Sequence, residues 1–385
     1  MPWRSSSVAD ERINFVVAAR TGSRSVSELC RAYGVSRPTG YRWLHRYYET
    51  GSLTGLVERS RRPHDSPRRI SEDLTSRIVA LRLTFDWGAR KLQAMLSREG
   101  YQVSESTINR VLKHHDLVRD SQSHPSAPQR FERERPNQLW PMDFKGDYHR
   151  EGERCCPLAV IDDHSRFAVG LFAVRDQRSS TVSGCLVTTF ERSGVPEAIL
   201  TDHGIPWWST SNGHGLTRLS VALIRQVMRV LFSGIRHPQT QGKVERFHRT
   251  LGQRVDYHGW PQTLSDWQAA FDEFVEEDNY VRPHEALAMA APATRYRPSQ
   301  RAYQATPAEW IYPEGATVVR LNRQGSLDWS GRRYFVCEAL ANEQVRLEPC
   351  DDKMLVRYRH VIVREIDLTT GKSLPLVLHE QNAYL

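Results

Sequence analysis

The chain has no apolar run approaching the ~18 residues that cross a bilayer, which argues against a membrane-spanning helix. Met1 to Asp10 contain no apolar h-region, so a secretory signal peptide is not expected. Cysteine is sparse. Cys30, Cys155, Cys156, Cys185, Cys337 and Cys350 show no C-x-x-C spacing and read as reduced cytosolic thiols that mostly fill cores. No internal repeat is evident, and low-complexity character is confined to candidate linkers.

What is present fits a soluble globular protein. Hydrophobic residues make up 39% and charged residues 25% of 385 positions, a length that implies two to four domains. The net charge is +8 and unevenly placed. Residues 1–137 carry 24 Lys and Arg against 15 Asp and Glu, whereas the rest carry 29 against 30. A polyanion such as DNA would meet the N-terminal third first. A basic surface kept for solubility is the competing explanation.

Residues 1–57 read as three short helices. Val26, Leu29, Cys30 and Tyr33 make one inward stripe, capped by Ser25 or Ser27, and Gly34 makes the turn. Ser36 caps the next helix, with Pro38 in its first turn where a missing N–H costs nothing. Its inward face is Gly40, Trp43, Leu44 and Tyr47, leaving Arg37, Thr39, Tyr41, Arg42 and Arg46 outward or flanking. That is the helix-turn-helix arrangement for the major groove. An ordinary three-helix bundle with a solvated face is the alternative; the agreement of turn chemistry with charge favours DNA. Residues 58–70, with Arg61 and Arg62, read as a basic linker able to follow phosphates. Residues 71–118 read as a second helical, helix-turn-helix-like unit, and 119–137 as a polar linker containing prolines.

From 138 to 300 the pattern alternates strands and helices, as in an α/β layer fold. Two Asp residues stand at the polar edges of strand-like runs, Asp143 in Trp140-Pro141-Met142-Asp143-Phe144 and Asp202 in Ile199-Leu200-Thr201-Asp202-His203-Gly204. Glu245 stands in the first turns of a basic helix, within His237-Pro238-Gln239-Thr240-Gln241-Gly242-Lys243-Val244-Glu245-Arg246. Two strands and a helix delivering three carboxylates can hold two divalent ions for phosphoryl chemistry. Mg2+ suits such a site because it takes oxygen ligands and keeps several waters. Asp143 is expected to bridge the ions, with Asp202 on one and Glu245 on the other. Each acid also has a structural explanation: a turn cap at Asp143, a turn at Asp202, a helix-dipole partner at Glu245. Asp162 and Asp163 are expected to turn one strand into the next and are second choice as metal ligands. Lys243, Arg246 and Arg249 are expected phosphate contacts. The loop 207–215, with Trp207 and Trp208, is expected either to stack on unpaired DNA or to pack. After a linker at 301–315, short alternating runs over 316–385 predict a small all-β domain, a barrel in first place or else a sandwich.

These motifs carry a resemblance. Residues 138–296 resemble the catalytic core of the retroviral-integrase-type transposases of bacterial insertion sequences. The matching segments are those around Asp143, Asp202 and Glu245, together with Ile161-Asp162-Asp163-His164-Ser165-Arg166 and Asn279-Tyr280-Val281-Arg282-Pro283-His284-Glu285-Ala286-Leu287. The first helix-turn-helix and its Ser60-Arg61-Arg62-Pro63-His64 tail are similar to that family's N-terminus. The chain departs from the pattern at His203, where Asn is usual, at Pro141, where Gln is common, and in a longer Asp202-to-Glu245 separation.

The resemblance implies a multidomain protein with N-terminal all-α helix-turn-helix units, a central α/β RNase H-like core and the small β barrel. It implies a D-D-E triad at Asp143, Asp202 and Glu245, and dependence on Mg2+ (two ions, with Mn2+ as a substitute). The implied activity is that of a transposase or integrase: binding terminal inverted repeats, cleaving DNA 3′ ends, and transferring strands into target DNA. The implied partners are double-stranded DNA and further copies of the chain, at least a dimer on DNA, in a bacterial cytoplasm at the nucleoid and away from membrane. The alternatives are a catalytically silent, sequence-specific DNA-binding regulator and a nuclease acting on RNA hybrids.

Overall fold

A computed structural model describes residues 7–58, 70–118, 132–148, 153–209, 215–233 and 242–376. Arg61 and Arg62, most of the two basic or polar linkers, loop residues 210–214 and the His237–Gln241 part of the glutamate motif lie outside the described residues. The chain divides into two compact units, one up to Ser71 and one from Glu72.

The first unit is three helices, α1 (Val8–Arg20), α2 (Val26–Ala32) and α3 (Arg37–Thr50). Ser7 and Asp10 close a capping box on α1, and Ser25 and Glu28 close one on α2, so Ser25 rather than Ser27 is the cap. Ser36 accepts from the Thr39 N–H at the start of α3. Phe15, Val16, Leu29, Cys30, Leu44 and Leu56 form the core. Gly40 is what lets α3 approach: a Cβ there would stand 2.5 Å from the Cys30 sulfur and 2.8 Å from the Phe15 ring.

The second unit opens with α4 (Glu72–Phe85), α5 (Ala89–Arg98) and α6 (Glu105–His114). Leu74, Ile78, Leu81, Leu92, Leu96, Ile108 and Leu112 are buried along their facing stripes. Arg82 is buried and donates to the carbonyls of Asp86, Trp87 and Leu117, tying the α4–α5 turn to the end of α6. Ser104 caps α6 by accepting from Thr107.

The chain then builds β1 (Trp140–Phe144), β2 (Cys156–Ile161), β3 (Ala168–Val174), α7 (Ser179–Ser193) and β4 (Ala198–Thr201). It continues with the short pair β5 (Trp208–Ser209) and β6 (Gly215–Leu216), then α8 (Arg218–Arg225), β7 (Arg229–Phe232), α9 (Gly242–His258) and α10 (Leu264–Glu276). The sheet runs β3-β2-β1-β4-β7. β1 is antiparallel to β2 and parallel to β4, and β4 is parallel to β7. Period-2 alternation divides the two faces. Trp140, Met142, Leu158, Val160 and Val169 share an apolar cluster with Val182, Leu186 and Phe190 of α7. Ala159, Ile161, Ala168 and Leu171 share the other with Val244, Phe247, Leu251 and Val255 of α9 and Trp267, Phe271 and Phe274 of α10. This is the RNase H-like layer arrangement.

The C-terminal strands are β8 (Thr317–Arg320), β9 (Ser326–Trp329), β10 (Arg332–Phe335), β11 (Gln344–Cys350), β12 (Lys353–Tyr358), β13 (Val361–Asp367) and β14 (Ser373–Pro375). The expected barrel is corrected here. Among the described residues these strands form an open antiparallel sheet, β14-β13-β12-β11-β8, and a separate β9–β10 hairpin. Closure would need β8 to pair with β14, and β14 is a three-residue strand ending in Pro375, which has no N–H to donate.

Nor does this region keep a core of its own. Val345, Leu347, Met354, Val356 and Ile366 belong to the same cluster as α7 and α8. Polar ties reinforce the join. Arg225 donates to Tyr358 (3.2 Å) and pairs with Glu343, and Arg359 donates to the Arg225 carbonyl at 2.9 Å. Arg301, in the run expected to be a linker, donates to the carbonyls of Pro196 and Val227, both at 2.6 Å. No described helix is long and apolar enough to cross a membrane.

Candidate active site

Register decides where the acids point. Pro141 pairs with Leu200 in the parallel β1–β4 ladder, two residues before Asp143 within β1 and two before Asp202, which follows the end of β4. Asp143 lies opposite Ala159, on the face that α9 covers. Glu245 sits in the first turn of α9, beside the buried Val244 that anchors the helix to the sheet. The three acids thus sit on β1, just after the neighbouring β4, and at the start of the helix packed on the sheet.

The electrostatics agree. Burial pushes the Asp143 carboxyl up to about 7, with the negative charges of Asp202 and Glu245 adding to it against a bond from the Phe144 N–H. Asp202 is exposed and accepts the Gly204 N–H at 3.1 Å, an Asx-type turn. Glu245 is exposed. The three do not close into a cage: among the described residues, no three His, Cys, Asp or Glu side chains are placed to hold a metal ion as they stand. The donor set is all carboxylate oxygen, which fits a hard divalent ion such as Mg2+.

One neighbour was missed by the sequence reasoning. The ring Nδ1 of His248 is 3.8 Å from Asp143 Oδ2, too long for a hydrogen bond. Burial and the nearby Lys145 hold this imidazole down to about 3, so it is neutral. Its Nε2 is buried with no hydrogen-bond partner among the described residues. The spacing of three from Glu245 on a helix was the available signal.

Asp162 and Asp163 are spent on structure. Asp162 is fully buried and accepts from Ser165 N–H (2.8 Å), Ser165 hydroxyl (2.5 Å) and Asn137 N–H (2.6 Å). Asp163 accepts the Arg133 N–H at 2.9 Å and pairs with Lys243. Lys243 is thus held on Asp163, whereas Arg246 and Arg249 are exposed. Trp207 and Trp208 are buried, so these two rings pack. His203 stacks on Phe232 with centroids 5.0 Å apart.

On α3, Arg37, Tyr41 and Arg42 are exposed. Thr39 is half-buried, its hydroxyl 2.8 Å from that of Ser36. Arg46 turns inward, donating to the Val57 carbonyl at 2.9 Å with its guanidinium 5.1 Å from the Trp43 ring centre.

Comparison with known proteins gives matches along most of the chain. A helix-turn-helix domain matches residues 11–64, and a homeodomain-like domain matches residues 39–112. Integrase core domains match residues 133–238 and 228–292. The transposase for transposon Tn552 of Staphylococcus aureus is 23% identical over 334 residues, covering 75% of this chain and 66% of that protein, just short of two thirds of its length. An insertion element IS407 uncharacterized 31.7 kDa protein of Burkholderia multivorans (strain ATCC 17616 / 249) is 27% identical over 258 residues, covering 63% of this chain and 87% of that one. Among solved structures, the HTLV-2 integrase catalytic core domain in complex with magnesium (trimeric form) is 14% identical with a TM-score of 0.33, covering 43% of this chain and 99% of that one. The simian T-cell lymphotropic virus intasome in complex with PP2A regulatory subunit B56 gamma is 14% identical with a TM-score of 0.39, covering 78% and 98% respectively.

Proposed function

We infer the chemistry of this chain from its family, for it belongs to the integrase-type transposases of insertion elements. On that premise it binds the terminal inverted repeats of a mobile element, cleaves the DNA 3′ ends and joins them to target DNA. What supports this reading is the placement of Asp143 opposite Ala159 on the face that α9 covers, with burial and the charges of Asp202 and Glu245 all raising its carboxyl.

Asp143, Asp202 and Glu245 would hold the divalent metal, two Mg2+ ions with Mn2+ as a substitute. When bound, such a metal would supply activation of the attacking oxygen and stabilisation of the departing 3′-oxygen. The chain's own residues set the stage. Asp143 would serve as a ligand in its ionised form, its proton passing to solvent, and its half-buried position keeps it oriented. The Gly204 N–H holds Oδ1 of Asp202. Arg246 and Arg249 stand exposed on the helix that carries Glu245, positioned to take phosphates beside the reacting bond. Arg37, Tyr41 and Arg42 on α3 read the element end, and two copies of the chain hold its two ends together.

Glu245→Gln tests the reading. It is expected to abolish Mg2+-dependent cleavage and strand transfer while end binding in a gel-shift assay persists. Cleavage that survived would remove Glu245 from the site. A wild-type chain that bound DNA but never cut it with Mg2+ or Mn2+ would instead mark a silent regulator.

A further inference from the structure

α9 has two working faces. Val244, Phe247, Leu251 and Val255 lie on the sheet. Thr250, Gln253, Arg254 and Tyr257, spaced three and four apart, turn toward the α4–α5 region instead, and Arg246 stands one turn before them. The α4–α6 bundle is tied along this seam. Tyr257 donates to the Leu83 carbonyl at 2.5 Å and Arg254 to that of Thr84 at 3.4 Å. Arg98 donates to the carbonyls of Val281 (2.8 Å) and Met289 (2.6 Å).

Between the bundle and α9 lies a cavity of about 170 Å3. A single water needs ~10–15 Å3 on the same measure, so a hydrated phosphate group fits. The charged groups on its wall do not cancel evenly. Glu277 is taken by Arg254 at 2.7 Å, Asp86 by Arg82 at 3.1 Å, and Arg282 by Asp278 at 2.6 Å. Lys91 is left over: among the described residues no hydrogen bond or ion pair reaches its ammonium. The Nε of Arg282 is also buried without a hydrogen-bond partner. Gly88, on the same wall, begins α5 without a side-chain cap. Burial, with Arg282 and Arg246 near by, pulls the Lys91 amine down to about 8, against the raising effect of Asp278 and Glu285. Among the described residues these carboxylates, and Glu277 on the wall, act on the amine without a direct ion pair to it, and the Arg246 near it is the neighbour of Glu245.

We propose that this cavity receives a backbone phosphate of the bound DNA, contacted by Lys91, where the duplex passes from the α4–α6 bundle to the catalytic carboxylates. The inference rests on the transposase reading and adds a site to it. The α4–α6 bundle then does more than grip DNA at a distance: being fixed to α9, it sets how far along the strand the reacting phosphodiester lies.

The test uses the full chain and a fluorescent duplex of arbitrary sequence, titrated over a range of salt. Each phosphate contact contributes about 0.9 to the slope of log affinity against log salt. Lys91→Met is expected to make that slope shallower by about 0.9, and Lys91→Arg to keep it. Lys91→Gln serves as a second neutral variant where melting shows that Met disturbs the fold. A slope unchanged in the neutral variants overturns the proposal and leaves the transposase reading standing. Wild-type protein with no salt-dependent duplex binding overturns both. A third arm adds inorganic phosphate alone: Lys91-dependent thermal stabilisation by phosphate, with an unaltered DNA slope, identifies a free-anion site and also overturns the proposal.

Discussion

His248 and Asp143 face each other across the α9–β1 junction, with Nδ1 3.8 Å from Oδ2 and the imidazole neutral. A buried neutral ring at that distance limits where the carboxylate can swing without adding charge to it. The ring packs against Asp143 without a hydrogen bond, so it should fall at or below the low end of the ~10–100-fold that hydrogen-bonded partners of metal ligands contribute. On the proposed metal site, His248→Ala is expected to lower strand transfer by up to ~10-fold and to raise the Mg2+ concentration needed for half-maximal activity. DNA affinity should stay near that of the wild type. A variant with an unaltered Mg2+ requirement would make the contact incidental.

Gly204 leaves room for the Asp202 carboxylate. A Cβ at 204 would lie 2.8 Å from Asp202 Oδ2 and 3.1 Å from Oδ1. Gly204→Ala should push the carboxylate from its place at the end of β4. The expected outcome is at least ~10-fold slower cleavage with a melting temperature close to wild type, since the site is at the surface. Equal rates for the two proteins would show that Asp202 tolerates displacement.

How much of this was legible in the sequence depended on range. Ser36 caps its helix where the spacing placed it, because a cap speaks only to the next three residues. Asp143 stands within a strand, Asp202 follows one and Glu245 opens a helix, as the local pattern implied. The turn role of Asp162 was likewise readable from its neighbours. What escaped was long-range. Nothing near Arg46 announces the Val57 carbonyl, nothing near Lys243 announces Asp163, and the long separation in sequence of Asp143 and His248 hides their meeting. The barrel expectation failed for the same reason. Alternation finds strands such as β12, yet closure depends on which edges meet, and β9 and β14 left too short a pattern to register.

Lys243 illustrates what such a partner does to an assay. Its ammonium is held by Asp163, with both groups largely buried. Burial lowers its pKa while Asp163 opposes the shift. Lys243→Met would leave the buried Asp163 carboxylate without its cation, a change that typically costs ~3–5 kcal/mol. The expected result is a clear drop in urea midpoint with little change in the salt dependence of DNA binding. The opposite pattern, unchanged stability with a shallower salt slope, would show that the lysine leaves Asp163 for phosphate.

Asp278 sets the acid limit of the fold. It is fully buried between Arg282, at 2.6 Å, and the His284 ring, at 3.4 Å. Burial alone would raise its carboxyl, but Arg282 and His284 outweigh it and hold the pKa down to about 2. The unfolded value is ~3.9. Because the folded pKa is the lower one, this group's stabilisation is fully present above pH ~4 and is lost as pH falls toward 2. Urea midpoints measured from pH 5 to 2.5 should fall steadily in the wild type. Asp278→Asn should be ~3–5 kcal/mol less stable at pH 7, where Arg282 is left buried without its partner. Its midpoint should fall less over the acid range, since the group that titrates there is gone. Parallel pH curves for the two proteins would place the acid sensitivity elsewhere.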